Sequence, residues 1–394
     1  MKRMLEGIKV VDCTLAAAGP ACTKILTDYG TETILIEPVT GTSTRSDAPR
    51  TIDYKCGGKK SVPVNLKTSE GMEFMYRLIV WADVFVSNYR KQALERLGLG
   101  YEKMKEVNPR LVYATLNGYG NRGPLKAAPG FDVTCFWAHG GMMADISQKG
   151  EAIINAPIAI GDVSTGQGLA AGICAALYNR EKTGEGACIT TSLLGQSVWL
   201  NFDAIIESQY GEEFPRSRKS PMCAVLNTYQ CGDGKWIAIN AQHHWEISWP
   251  YICNFIGRPE LVDKYPDKES VMYEKSAEVV AALDEGFQKF TRDEVIEALT
   301  SCKAMAAAPV LNSVDLLEDP QILANEMLIE SDKMSKDGKK IKIPVSPVRL
   351  EDEHPIEYLP APKLGEHTVE VLKMLGYEDD TIKDYIDRGI FVAQ

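Results

Sequence analysis

Short apolar runs alternate with segments of helical periodicity from residue 8 to residue 116, and this restricts the fold more than any other feature of the chain. Residues 8–13 read as a buried strand, 19–29 as a helix closed by Gly30, and 33–37 as the next strand. Together they form a βαβ unit of ordinary length. Thr68 opens a second helix with Met72, Met75, Leu78, Ile79 and Ala82 on one face. A strand at 83–87, a short helix ending at Gly98, a helix at 101–107 and a strand at 111–116 continue the pattern. Strands and helices in alternation with short links predict an α/β, Rossmann-like large domain built on a parallel, doubly wound sheet.

A second constraint lies at 155–186, where an apolar run (157–160) leads through Gly161 and Asp162 into a helix rich in small residues. Gly166, Gly168 and Gly172 each cost that helix about 1 kcal/mol against alanine. Another backbone or a bulky ligand must therefore approach it closely. Asp162 falls at the expected N-cap, with Ser164, Thr165 and Gln167 in the first turns. As a cap it would only start a buried helix. Alternatively, the helix dipole and free amides would keep the carboxylate ionised, as a carboxylate nucleophile requires. Local sequence leaves both readings open.

Downstream, 187–192 is strand-like, 193–210 helical, and 211–220 a polar linker. Residues 227–240 read as a hairpin turning at Gly232-Asp233-Gly234, and helices follow at 270–290 and 292–301. The expected organisation is a large domain over 1–210, a linker at 211–226, a smaller α+β domain at 227–305, and a return into the large domain over 306–394. Within that return, 344–362 is Pro-rich and extended, and a last helix at 367–375 ends at Gly376.

A net charge of −11 and a pI near 5.2 argue against nucleic acid or an anionic membrane as the main partner. Neither a secretory h-region nor an uninterrupted apolar run of spanning length is present, which predicts a cytoplasmic chain. The ten cysteines show no CxxC spacing, and Cys135, Cys174, Cys188 and Cys253 sit in apolar stretches, so reduced buried thiols and no metal site are expected.

The GxGxxG at 118–123 is followed by Pro124, Pro129 and Gly130 rather than by a helix, so it reads as a loop and not as a dinucleotide site. Lys59, Lys60, Lys67, Arg90 and Arg96 are placed where α/β proteins meet phosphates, or equally on a solvated face. Phe136, Trp137, Met142 and Met143 fit an apolar acyl pocket or ordinary core.

The segments at 5–12 (LEGIKVVD), 18–30 (AGPACTKILTDYG), 108–124 (NPRLVYATLNGYGNRGP), 129–132 (PGFD), 160–167 (IGDVSTGQ), 183–193 (TGEGACITTSL) and 365–377 (GEHTVEVLKMLGY) together resemble the family III CoA-transferases. The PGFD-aromatic-GG arrangement at 129–141 is most similar to the branch acting on 2-hydroxy acids such as phenyllactate and 2-hydroxyisocaproate. The resemblance implies that Asp162 is the nucleophile. It also implies CoA contacts from Ala17, Ala18, Val64, Asn65, Leu66, Lys67, Asn88, Tyr89, Arg90 and Arg96, with Asp132 and Phe131 supporting the active site. It further implies no tightly bound cofactor, coenzyme A or acyl-CoA as substrate, and a homodimer of two interlocked rings. Pro38 and Pro129 stand where the formyl-CoA enzyme carries an arginine and a lysine, and no tetraglycine loop occurs near 222–227.

Such a transferase needs no ATP, because thioester energy is conserved between acids. Asp162 would form a mixed anhydride and then an aspartyl thioester. Related 2-methylacyl-CoA racemases need a histidine just before the aspartate of a GHD motif, and Phe131 occupies that position. A racemase, a transferase for carnitine, succinate or oxalate, and a CoA-binding regulatory protein without turnover are the alternatives.

Overall fold

The computed structural model describes residues 3–157, 159–350 and 357–394. Its main sheet has six parallel strands: β1 (Lys9–Cys13), β2 (Glu32–Glu37), β3 (Lys60–Pro63), β4 (Val84–Ser87), β5 (Val112–Asn117) and β6 (Ala187–Ser192). They lie in the order β3-β2-β1-β4-β5-β6, so the winding reverses between β1 and β4. At such a reversal the loops leaving the strand ends part and open a crevice. The central strands are covered on both faces, which is why they read as continuous apolar runs.

Strand β3 was not anticipated. It is short, begins at Lys60, ends in Pro63, and occupies the sheet edge, so it has no apolar alternation to reveal it. Lys60 is held by Glu32 and Glu370, each at 2.7 Å. The helix Ser69–Trp81 starts as expected, with the Thr68 hydroxyl accepting the Gly71 N–H at 3.1 Å. Its Phe74, Met75, Leu78 and Ile79 pack with Val11, Ile34 and Phe85 of the sheet, and with Val371, Leu372 and Phe391 from the C-terminal part of the chain.

By backbone contacts the chain divides into one unit of Met1–Met142, Ala156–Asp203 and Pro320–Gln394, and a second of Met143–Asn155 and Ala204–Asp319. The second unit holds an antiparallel sheet of β7 (Leu226–Gln230), β8 (Trp236–Asn240) and β9 (Ala306–Pro309), in that order. Tyr229, Trp249 and Phe287 anchor its core. The helix Arg292–Ser301 is started by a reciprocal cap between Thr291 and Glu294.

Two further differences from expectation follow from local chemistry. The helix expected over 193–210 is two, Leu193–Leu200 and Phe202–Glu207, interrupted at Asn201 with ψ 20. An antiparallel pair, β10 (Leu328–Met334) and β11 (Lys340–Pro344), escaped notice because it is largely exposed and carries charges instead of apolar alternation. Of the extended run expected at 344–362, residues 351–356 lie outside the described residues. Beyond them Asp53 accepts hydrogen bonds from the Tyr358 hydroxyl at 3.0 Å and the Ala361 N–H at 3.1 Å.

Candidate active site

The helix Ile160–Thr183 begins three residues earlier than a cap at Asp162 would require, which makes Asp162 its third residue. The N-cap position is Ala159, held in the left-handed region at φ 70, and its side chain has no acceptor. Another segment supplies the cap. Asp132 Oδ1 accepts the Asp162 N–H at 2.9 Å, and Oδ2 accepts the Ala159 N–H at 3.0 Å. The indole N–H of Trp137 also donates to Oδ2, at 3.2 Å. Asp132 thus performs the capping expected of Asp162.

Sequence explains how the two meet. Asp132 opens a π-helical turn, Asp132–His139, preceded by the cap residue Phe131, whose N–H donates to Thr134 Oγ1 at 3.1 Å. The wide turn puts Trp137, five residues on, over the same carboxylate. Gly161 is required by this approach, since a Cβ there would run into Asp132 Oδ1 and the Phe136 ring. One turn further, a Cβ on Gly166 would stand 2.6 Å from the Ala18 carbonyl oxygen and 2.9 Å from the Cys22 nitrogen. The close neighbour implied by the small-residue helix is therefore a backbone, that of the helix Ala18–Asp28.

Released from capping, the half-buried carboxylate of Asp162 receives no hydrogen bond from the described residues. The expectation that free amides hold it ionised is corrected, because the amides of Ala159 and Asp162 already point at Asp132. Burial, followed by the charge of Asp132, raises its pKa to about 6, and the charge of Lys55 opposes the rise. Asp162 is still an anion at pH 7 to 8, with lone pairs unengaged by donors, which suits attack on a carbonyl carbon.

At the winding reversal, the Asn88 side chain accepts from Leu15 N at 2.8 Å and donates to Leu15 O at 2.6 Å, tying the loop after β1 to the end of β4. That loop carries Ala17, and Ala18 begins the next helix. Beside it a cavity of about 400 Å³ is lined by Val64, Asn65, Leu66, Lys67, Tyr89, Pro38 and neighbouring residues. Of the expected CoA contacts, the fold therefore gathers Val64 to Lys67 with Tyr89 in one groove and Ala17, Ala18 and Asn88 at the reversal. Arg90 and Arg96 are exposed at the two ends of the helix after β4, with the Arg96 Nε–H donating to Gln92 O at 3.2 Å. Glu37, at the end of β2, cannot serve a nucleotide ribose, because Arg45 and Ser61 already occupy its carboxylate.

Two lysines proposed for phosphate are otherwise engaged. Lys59 is buried on Asp12 at 2.9 Å, and Lys60 is paired as described above. Phe136 and Trp137 are core residues rather than pocket walls, whereas Phe131 is 66% exposed. Cys135 and Cys253 are buried, but Cys188 is exposed. Sequence reading also passed over Lys55, which sits on a five-residue helix, Ile52–Cys56, too short to show periodicity. It passed over the bond from Trp137 to Asp132 as well, and only a π-turn spacing could have signalled it. Among the described residues no group of three or more His, Cys, Asp or Glu could hold a metal ion, and no helix is long and apolar enough to cross a membrane.

The sequence model described as CoA-transferase family III matches residues 5–368. The chain is 36% identical to the (R)-2-hydroxy-4-methylpentanoate CoA-transferase of Clostridioides difficile over 402 residues, which is 98% of this chain and 99% of that protein. It is 30% identical to the cinnamoyl-CoA:phenyllactate CoA-transferase of Clostridium sporogenes, covering 99% and 98% of the two chains. The crystal structure of a CAIB/BAIF family protein from Brucella suis superposes with a TM-score of 0.82 at 26% identity, over 95% of this chain and 100% of that one. The matched sequence takes in both the groove and the capped helix, and on that ground the chain belongs to CoA-transferase family III and is a CoA-transferase.

Proposed function

We propose that this enzyme moves coenzyme A from an acyl-CoA to a free 2-hydroxy acid, or to the matching enoate, through covalent intermediates on Asp162. The observation that carries the reading is the division of labour at the helix start. Asp132 caps, so the Asp162 carboxylate is left without donors among the described residues. Its oxygen attacks the thioester carbonyl, releasing CoA thiolate and leaving an aspartyl mixed anhydride. The thiolate then attacks the aspartyl carbonyl, which gives aspartyl-CoA and frees the first acid. A second acid reverses the two steps. Ala17, Ala18, Val64 to Lys67, Asn88, Tyr89, Arg90 and Arg96 would hold the CoA. Phe131 and Val133, exposed around buried Asp132, would face the acyl chain.

Incubation with acyl-CoA and then hydroxylamine should label one peptide, the one containing Asp162. Label on Asp132 or on another carboxylate would sink the assignment. The names of the relatives support an acid with a medium-sized apolar side chain, whose desolvation contributes roughly 1.5–3 kcal/mol. A higher kcat/KM for formate or oxalate than for phenyllactate or 2-hydroxyisocaproate would overturn that preference. The racemase alternative lacks support, because Phe131 has no proton to carry. The enzyme is also proposed to work as an interlocked homodimer. Supporting this, Val198, Trp199, Leu200 and Phe202, close together in sequence, are all exposed. Sedimentation of an active monomer at low micromolar concentration would remove the idea.

A further inference from the structure

We propose that Lys55 binds the carboxylate of the incoming free acid, next to Asp162. This rests on the reading of Asp162 as the nucleophile. The acceptor is an anion, and it must approach a helix start where Asp132 is already a buried carboxylate. Like charges brought close together in a partly desolvated site repel, so a cation has to accompany the acid. The fold offers one from an unexpected place. The helix Ile52–Cys56 packs against the helix Ala18–Asp28, which lies directly on the Gly166 turn of the Asp162 helix.

Three other basic groups around this helix are already committed, and Arg50, in the turn just before it, is exposed. Lys59 is locked on Asp12 at 2.9 Å, Arg45 is locked on Glu37 at 2.6 Å, and Lys333 is paired with Asp53 at 2.7 Å. Asp53, two residues from Lys55, is thus satisfied by Lys333, the Tyr358 hydroxyl and the Ala361 N–H. Lys55 itself is half-buried and makes no hydrogen bond or ion pair with any described residue. A partly desolvated ammonium without a partner is costly, and an anionic ligand supplies the missing one. Its field reaches Asp162, where it opposes the upward pull of burial and of Asp132.

When the acid arrives, Asp162 is an aspartyl thioester and neutral, so Lys55 and the acid form the new pair. One acid oxygen then attacks the aspartyl carbonyl carbon, the carbon–sulfur bond breaks, and CoA leaves as the thiolate. Lys55 keeps its proton throughout, serving as a fixed charge that positions the nucleophilic oxygen.

The test compares Lys55→Gln, Lys55→Met and Lys55→Arg with wild type. Initial rates are measured against acid at saturating acyl-CoA and against acyl-CoA at saturating acid, alongside hydroxylamine labelling with acyl-CoA alone. Lys55→Gln and Lys55→Met should raise KM for the acid at least tenfold. KM for acyl-CoA should stay within twofold and labelling of Asp162 should persist, while Lys55→Arg recovers most of the acid affinity. An acid KM within twofold of wild type in both neutral variants, with labelling intact, overturns the role of Lys55 and leaves the nucleophile standing. Absence of label on Asp162 in the wild type overturns both.

Discussion

Replacing Asp162 by asparagine should stabilise the protein at alkaline pH while abolishing turnover. Folding raises the carboxyl from 3.8 to about 6, through burial and then through the charge of Asp132. An acid with a raised folded pKa costs nothing below its unfolded value, loses stability as pH climbs between the two values, and bears the full cost above the higher one. Here the window runs from about pH 4 to pH 6. At 1.36 kcal/mol per pH unit, the ionised side chain costs the fold on the order of 3 kcal/mol at pH 8. Asparagine has the same shape and no charge, and no hydrogen bond from a described residue is lost with the carboxylate. The assay is the denaturation midpoint of both proteins in urea at pH 4.5 and pH 8, without ligand. Asp162→Asn should gain about 2–3 kcal/mol at pH 8 and only about 1 kcal/mol at pH 4.5. A gain of equal size at both pH values, or a loss at pH 8, would refute the electrostatic account.

Three other outcomes are expected. Because attack needs the ionised form, kcat/KM for acyl-CoA should fall about tenfold per pH unit below pH 6, and Asp132→Asn should move that limb to lower pH by removing a neighbouring charge. The same Asp132→Asn change puts an amide group against the N–H groups of Ala159 and Asp162, so it should cost about 1–2 kcal/mol by calorimetry, and no loss would mean the cap is dispensable. Two glycines of one helix should respond in opposite directions. Gly166→Ala, whose Cβ meets the Ala18 carbonyl, should cost about 1–3 kcal/mol and raise KM for CoA, while Gly172→Ala, 3.6 Å from the Ile189 side chain, should gain about 0.5–1 kcal/mol.

How far the chain could be read unaided depended on the range of the interaction. Strands β1, β2, β4 and β5 declared themselves because burial on both faces demands a continuous apolar run, and Thr68 announced a helix start through its own hydroxyl. Motif order along the whole chain carried the family. The short edge strand β3 and the helix Ile52–Cys56 stayed hidden, since partners distant in sequence stabilise them, and the exposed pair β10–β11 stayed hidden because it carries charges in place of apolar alternation.

Asp162 marks the same boundary within the site. A glycine-aspartate pair before a small-residue helix is visible in sequence, and so is its chemical potential as a carboxylate. Whether that carboxylate caps or reacts depends on Asp132, thirty residues away, which takes the helix amides for itself. The presence of Lys55 nearby likewise depends on one short helix packing on another. Sequence determined which groups exist and which elements carry them. Only the tertiary structure decided which hydrogen bonds each group accepts, because capping is a competition among acceptors and its winner is set by distance in space.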